Sequence, residues 1–353
     1  MRMFVPGPVD VDPEVLAAQT RPMLPHRSEA FEALFRGAEE KSRQLFYTGN
    51  RVFLTASSGS GLQEAAVRNF VNERLLICVN GAFSARWHDV ALSNGKQAVK
   101  IEGPWDQAIP PERVADALRQ DHYEALLVVH NETSTGLENP VRDLAAAARQ
   151  ASPDTLICVD AVSSLGGVKI EMDAWGLDMV LTSSQKCLAL PPGLGLAAVS
   201  DRAMARAEGV SNRGWYFDLV RLEKHRLKDS TPATPAISLL YALDLQLERI
   251  FAEGLENRFA RHAAMASRVQ DWALRRELGL YAQEGCRSKT VSAIYNEGID
   301  YADLSRFLLS REMRIANGYG KLKGEVFRIA HMGETTEADI EDLLGVLDEY
   351  LAR

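Results

Sequence analysis

The stretch Met179–Gly195, MVLTSSQKCLALPPGLG, decides how this chain is read. Its apolar start has the residue types of a buried strand. The strand runs into Thr182, Ser183, Ser184 and Gln185, delivers a single lysine, Lys186, and meets the stiff turn Pro191-Pro192-Gly193. A lysine is a poor residue to desolvate unless its amine has chemistry to do. Taken alone, its stem could pack while the amine reaches solvent.

Outward from this stretch the same texture repeats between residues 51 and 200. Seven short runs, RVFLTAS, RLLICVN, AVKIEG, ALLVVH, TLICVD, MVLTSS and GLAAVS, are rich in Val, Ile and Leu and mostly do not alternate in polarity. Strands of that kind are covered on both faces, which predicts a mainly parallel seven-stranded sheet between helices. GLQEAAVRNFVNE, PERVADALRQD and VRDLAAAARQA supply amphipathic helical patterns between them. The fold class is therefore α/β, with a large domain over residues 21–245. After Pro235 the chain changes: residues 237–278 read as one long helical connection with little Gly or Pro. TVSAIYN, YADLSRFLLSRE, EVFRIAH and EADIEDLLGVLDEYLAR then read as strand, helix, strand, helix. Residues 246–353 are expected to form the linker helix and a small C-terminal domain.

Composition bounds the partners. A net charge of -8 over 353 residues leaves no basic footprint for nucleic acid or anionic membranes, so small molecules or other proteins are expected. The cysteines, Cys78, Cys158, Cys187 and Cys286, are far apart, with no CxxC and no histidine cluster to suggest a metal site. Buried reduced thiols and a cytoplasmic location are the expectation. Prolines interrupt the opening MRMFVPGPVDVDP where a signal peptide needs an apolar run, and no window reaches membrane-spanning length.

Open parallel sheets bind ligands at the carboxyl ends of their strands. The first run leads into TASSGSGLQEAAV, where Ser58, Gly59 and Ser60 open a helix whose N–H groups and dipole suit a phosphate. It has neither the Walker pattern nor the dinucleotide fingerprint, and by itself it is an ordinary glycine-rich turn. The fifth run ends in Asp160, a carboxylate that needs a cation if it is buried, or that caps the next turn. The sixth leads to Lys186. In combination these are the three anchors of pyridoxal 5'-phosphate: a helix N-terminus for phosphate, a carboxylate for the pyridine nitrogen, and an amine for the aldehyde. Asp160 and Lys186 are 26 residues apart, about one crossover in a parallel sheet.

FVPGPVDVDPEVL, PHRSEAF, SSGSGLQEAA, NGAFSARW, HNETSTGLENP, CVDAVSSLGG, SSQKCLALPPGLG, TPAISLLYAL and FRIAHMG occur in that order along essentially the whole chain. In this the chain resembles the class V aminotransferases, fold-type I pyridoxal phosphate enzymes, and most resembles the alanine-glyoxylate and serine-pyruvate branch. It departs from the cysteine desulfurases, in which a His precedes the lysine; here Gln185 does. The resemblance implies that Lys186 is the Schiff-base lysine and proton shuttle and Asp160 the partner of the pyridine nitrogen. It implies that Ser58, Gly59, Ser60 and Gln185 hold the phosphate. Phe83 would stack on the ring, with Trp87 the second candidate. Thr133 would contact the ring oxygen and Val162 the ring's other face. Thr234 would reach the phosphate of a neighbouring subunit, making a homodimer with active sites at the interface. Residues 1–20 would pack over the site and the dimer, and Arg328 would grip the substrate α-carboxylate with its bidentate fork. Gly7 and Arg27 are further candidates for substrate contact.

The implied activity is transfer of an amino group from a small L-amino acid (alanine, serine, aspartate or similar) to glyoxylate, pyruvate or 2-oxoglutarate. Arg27 in PHRSEAF leaves a phosphoserine- or aspartate-type specificity open, since a second arginine would favour a distal acidic group. The same His26-Arg27 pair could instead close the N-terminal segment. A pyridoxal phosphate lyase or desulfurase, and a non-catalytic partner subunit, are the rival readings.

Overall fold

The computed structural model describes residues 1–353. All seven runs are strands of one sheet: Arg51–Ala56, Arg74–Val79, Gln97–Glu102, Ala125–Val129, Leu156–Asp160, Met179–Ser183 and Leu194–Val199. Across the sheet they lie in the order 51–56, 194–199, 179–183, 156–160, 125–129, 74–79, 97–102. Six run in one direction, and Leu194–Val199 is antiparallel to both of its neighbours. The Pro191-Pro192-Gly193 turn makes that reversal. Gly193, at φ +133°, takes the positive-φ conformation this return demands.

The non-alternating sequence pattern has the cause expected of it. Within Leu156–Asp160, Ile157 and Val159 enter one buried cluster while Leu156 and Cys158 enter another on the opposite face. The first face is covered by helices Glu29–Leu45 and Ile237–Glu253, through Phe31, Phe35, Leu240 and Leu247. The second is covered by helix Gly59–Phe70, through Leu62, Ala65 and Ala66. Each large side chain fully buried this way contributes about 1.5–3 kcal/mol relative to exposure.

Beyond Pro235 the structure differs from the sequence expectation in two ways. The helical connection is two helices, Ile237–Glu253 and Leu255–Arg275, because Gly254 sits at φ +84° between them. The C-terminal unit has a four-stranded sheet, ordered Arg2–Phe4, Met313–Asn317, Val326–Ala330, Val291–Tyr295. Only the last two strands are evident from sequence. Met313–Asn317 buries only Met313 and Ile315 fully. Arg2–Phe4 is three residues long and becomes a strand by pairing in parallel with Met313, Arg314 and Ile315. The N-terminal end of the chain is thereby fixed to the C-terminal sheet. No helix is long and apolar enough to cross a membrane.

Candidate active site

The strands Leu156–Asp160 and Met179–Ser183 are parallel neighbours, so their carboxyl ends open on the same edge of the sheet. Helix Gly59–Phe70 packs across both, and its N-terminus faces the same space. The result is a cavity of about 310 Å³ whose wall includes Ser58, Gly59, Ser60, Asp160, Gln185 and Lys186, together with Phe83, Thr133 and Val162. Gly59 has no room for a side chain: a Cβ there would lie 2.5 Å from Val162 Cγ2. Ser58 occupies the N-cap position without making a side-chain cap hydrogen bond.

Asp160 is 5% exposed. Its Oδ1 accepts from the Val162 N–H at 2.8 Å and its Oδ2 from Gln63 Nε2 at 2.6 Å. Burial pushes the carboxyl up to about 6 although both hydrogen bonds favour the anion. Burial also pushes the Lys186 amine down to about 8, and the positive charge of Arg328 adds to the effect. Lys186 Nζ donates to the Pro6 carbonyl. Gly7 lies against the same side chain, at φ +95°, where a Cβ would meet Lys186 Cδ at 2.6 Å and Nζ at 2.7 Å. The N-terminal segment thus covers the lysine.

The Ser58–Ser60 helix start suits a phosphate and the Asp160 carboxylate a protonated nitrogen, and the rest of the wall is mostly polar. Four buried polar atoms on the cavity wall, Gln63 Oε1, Asn131 Oδ1, Ser183 Oγ and Gln185 Oε1, have no partner within the protein. A buried polar atom left so costs about 1–3 kcal/mol, which favours a polar ligand beside it. The family model for aminotransferase class-V matches residues 14–342. The chain belongs to that family. Its cofactor is pyridoxal 5'-phosphate and its activity that of a transaminase.

The class V match extends to individual relatives. An L-aspartate–glyoxylate aminotransferase of Paracoccus denitrificans is 36% identical over 346 residues, covering 95% of this chain and 87% of the relative. The small subunit of a soluble hydrogenase from Synechococcus sp. is 35% identical over 358 residues, covering 99% and 92%. The solved structure of a subgroup IV aspartate aminotransferase from Thermus thermophilus superposes with a TM-score of 0.93 at 34% identity, covering 100% of this chain and 99% of that one.

Within this aminotransferase, Phe83 stays on the cavity wall, in the first turn of helix Ala82–Ser93. Several expected positions fall elsewhere. Trp87 is fully buried, its indole N–H donating to the Gln63 carbonyl at 3.0 Å, which makes it core. Ser184 turns away from the cavity, its hydroxyl donating to the Pro191 carbonyl at 2.7 Å, because successive strand residues face opposite sides. Arg328 does not line the cavity wall; it is 7% exposed, with Nε donating to the Asn317 carbonyl at 3.0 Å and Nη1 to the Thr133 carbonyl at 3.1 Å. Arg27 is exposed and donates to Ser230 Oγ at 2.6 Å, outside this cavity. Thr234 is exposed in a separate surface pocket with Thr231 and Tyr216.

Sequence reasoning missed Gln63, Arg86, Glu132 and Tyr319. Gln63 lies one helical turn after Gly59, a spacing that could have drawn attention to it. Glu132 gives no such signal. It is fully buried and accepts from the Ser84 N–H at 2.6 Å and the Phe83 N–H at 3.2 Å, capping the helix that carries Phe83 from another part of the chain. Burial raises its pKa above the ordinary carboxylate range.

Proposed function

We propose that this transaminase moves an amino group from a small L-amino acid to a 2-oxo acid such as glyoxylate, pyruvate or 2-oxoglutarate, with Lys186 as the Schiff-base lysine. The observation that carries the proposal is the convergence of Asp160, Lys186 and the Ser58–Ser60 helix start on one cavity. When bound, the cofactor supplies an aldehyde for amine exchange and a protonated ring that accepts electrons. Asp160 would keep the ring nitrogen protonated, and the ring's positive charge would satisfy a carboxylate that burial alone destabilises. Ser58, Ser60 and the N–H groups at the start of helix Gly59–Phe70 would hold the phosphate, with Gln185 beside it. Phe83 and Val162 would pack on the ring, and Thr133 would contact its oxygen.

Lys186 Nζ, with a pKa near 8, can carry the donor's Cα proton and release it near neutral pH. Pro6 and Gly7 orient that amine and cover it from water. Arg328 would bind the α-carboxylate through Nη2, which its two backbone carbonyl partners leave free.

The exposed position of Thr234 supports its use by a neighbouring subunit in a homodimer, and the proposed division is residues 1–20, 21–245 and 246–353. Four free cysteines, three of them buried, suit a reducing cytoplasm. The test is the visible spectrum of the purified protein as single amino acids are added. A donor should bleach the cofactor band and release its 2-oxo acid, and a 2-oxo acid acceptor should restore the band. Release of sulfide or ammonia without an acceptor would sink the transaminase assignment in favour of elimination.

A further inference from the structure

Arg86 is a cation of the same cavity to which no role has yet fallen. It projects from helix Ala82–Ser93 close to Phe83, with its guanidinium carbon 4.8 Å from the Phe83 ring centroid. Arg226, Arg249 and Arg258 each pair with two carboxylates. Arg86 pairs with none; it donates through Nη2 to the Tyr319 hydroxyl at 2.6 Å. The nearby acidic groups are otherwise engaged, Glu132 by the Phe83 and Ser84 N–H groups and Asp160 by Val162 and Gln63.

Tyr319 comes from the loop joining Met313–Asn317 to Val326–Ala330, and its ring stacks on Phe83 at 5.4 Å between centroids and 15° between planes. The guanidinium carbons of Arg328 and Arg86 lie 5.7 Å and 6.0 Å from that ring's centroid. Two guanidiniums beside one ring can take two anionic groups. The α-carboxylate accounts for one of them.

We infer that Arg86, held by the Tyr319 hydroxyl, receives the second carboxylate of a dicarboxylic amino donor. The site therefore takes donors of the aspartate class in preference to serine or alanine. The inference rests on the transaminase reading of Lys186 and Arg328. It moves recognition of a distal acidic group from Arg27, which is outside the cavity, to Arg86, whose planar fork matches a carboxylate.

The test compares kcat/KM for aspartate and for serine, with glyoxylate as acceptor, in the wild-type holoenzyme and in Arg86→Gln and Tyr319→Phe. The affinities of two unreactive acids, succinate and butyrate, are measured alongside by titration. The wild type should prefer aspartate and bind succinate more tightly than butyrate. Arg86→Gln should lower the aspartate-to-serine ratio of kcat/KM by about 10- to 100-fold, the loss expected when a charge-assisted hydrogen-bonded pair is removed. Tyr319→Phe should lower it in the same direction by less. An equal fall for both donors would overturn the inference and leave Arg86 a cofactor or structural role, as would a wild type indifferent to the second carboxylate. If Arg86→Gln retains too little cofactor to assay, the ratio in Tyr319→Phe decides. If no amino acid changes the wild-type spectrum, the transaminase reading fails, and the succinate titration still reads the Arg86 site independently.

Discussion

The cavity wall and the segments packed beside it are built differently. On the wall, where the cofactor is proposed to sit, Ser58, Asp160 and Lys186 each stand at or just beyond the end of a strand of one sheet, in short motifs where the chemistry-bearing residue and its support are neighbours in sequence. In the proposed substrate region, beside the cavity wall rather than on it, Pro6, Gly7, Tyr319 and Arg328 come from opposite ends of the chain and meet through the pairing of Arg2–Phe4 with Met313–Ile315. The first arrangement is held by a sheet buried on both faces. The second depends on a three-residue edge strand and a glycine-bearing loop. Under the proposed function such a division would let the cofactor chemistry stay constant while the segments facing the donor vary.

The largest expected effect is on the cofactor side. Lys186→Ala should lower turnover by roughly 10⁴-fold, the upper range for a lost acid–base group, and should remove the visible band of the bound cofactor. An active, yellow variant would break the assignment. Arg328→Lys should sharpen the contrast: kcat/KM should fall about 10- to 100-fold for every donor while the absorbance of the resting enzyme is unchanged, because a guanidinium fixed by two backbone carbonyls becomes a mobile point charge. Loss of the band in that variant would mean that the two sides are not separable. Gly7→Ala tests the cover over Lys186. The added Cβ clashes with the lysine at a positive φ, and strain on the order of 1–3 kcal/mol should reduce kcat/KM about tenfold with the fold intact by circular dichroism.

The smallest effect is on the stability of the cofactor-free protein against pH. The Lys186 amine falls from its ordinary 10.5 to about 8 on folding, so between those values the unfolded chain holds a proton that the folded chain has lost. Stability attributable to this group therefore rises with pH from about 8 to 10.5, and its burial penalty is fully present below 8. Asp160 has the opposite sign: its carboxyl rises from 3.8 to about 6, the folded state binds the extra proton, and its contribution falls as pH rises from about 4 to 6. Thermal denaturation should show Lys186→Met more stable than wild type at pH 7, with the alkaline slope reduced. Asp160→Asn should reduce the acidic slope. Unchanged slopes in both variants would show that the two groups are not desolvated in the apoprotein.

The seven-stranded sheet was legible because non-alternating runs of Val, Ile and Leu require cover on both faces, and Leu156–Asp160 meets that requirement residue by residue. The expected contacts Ser58, Gly59, Ser60, Phe83, Thr133, Asp160, Val162, Gln185 and Lys186 come together at one cavity, since most of them stand at strand ends or helix starts that the pattern locates. Trp87 falls in the core instead because one position along a helix changes the direction in which a side chain points.

Glu132 capping a helix 49 residues before it, or Tyr319 lying on Phe83, leaves no local trace: each contact joins residues whose separation in sequence carries no periodicity. Local order in the chain was enough to specify a parallel sheet with a lysine and an aspartate at adjacent strand ends, because both follow from which residues must be buried. Which arginine faces the donor, and what covers the lysine, depend on how distant segments pack, and burial patterns along a strand hold no record of that.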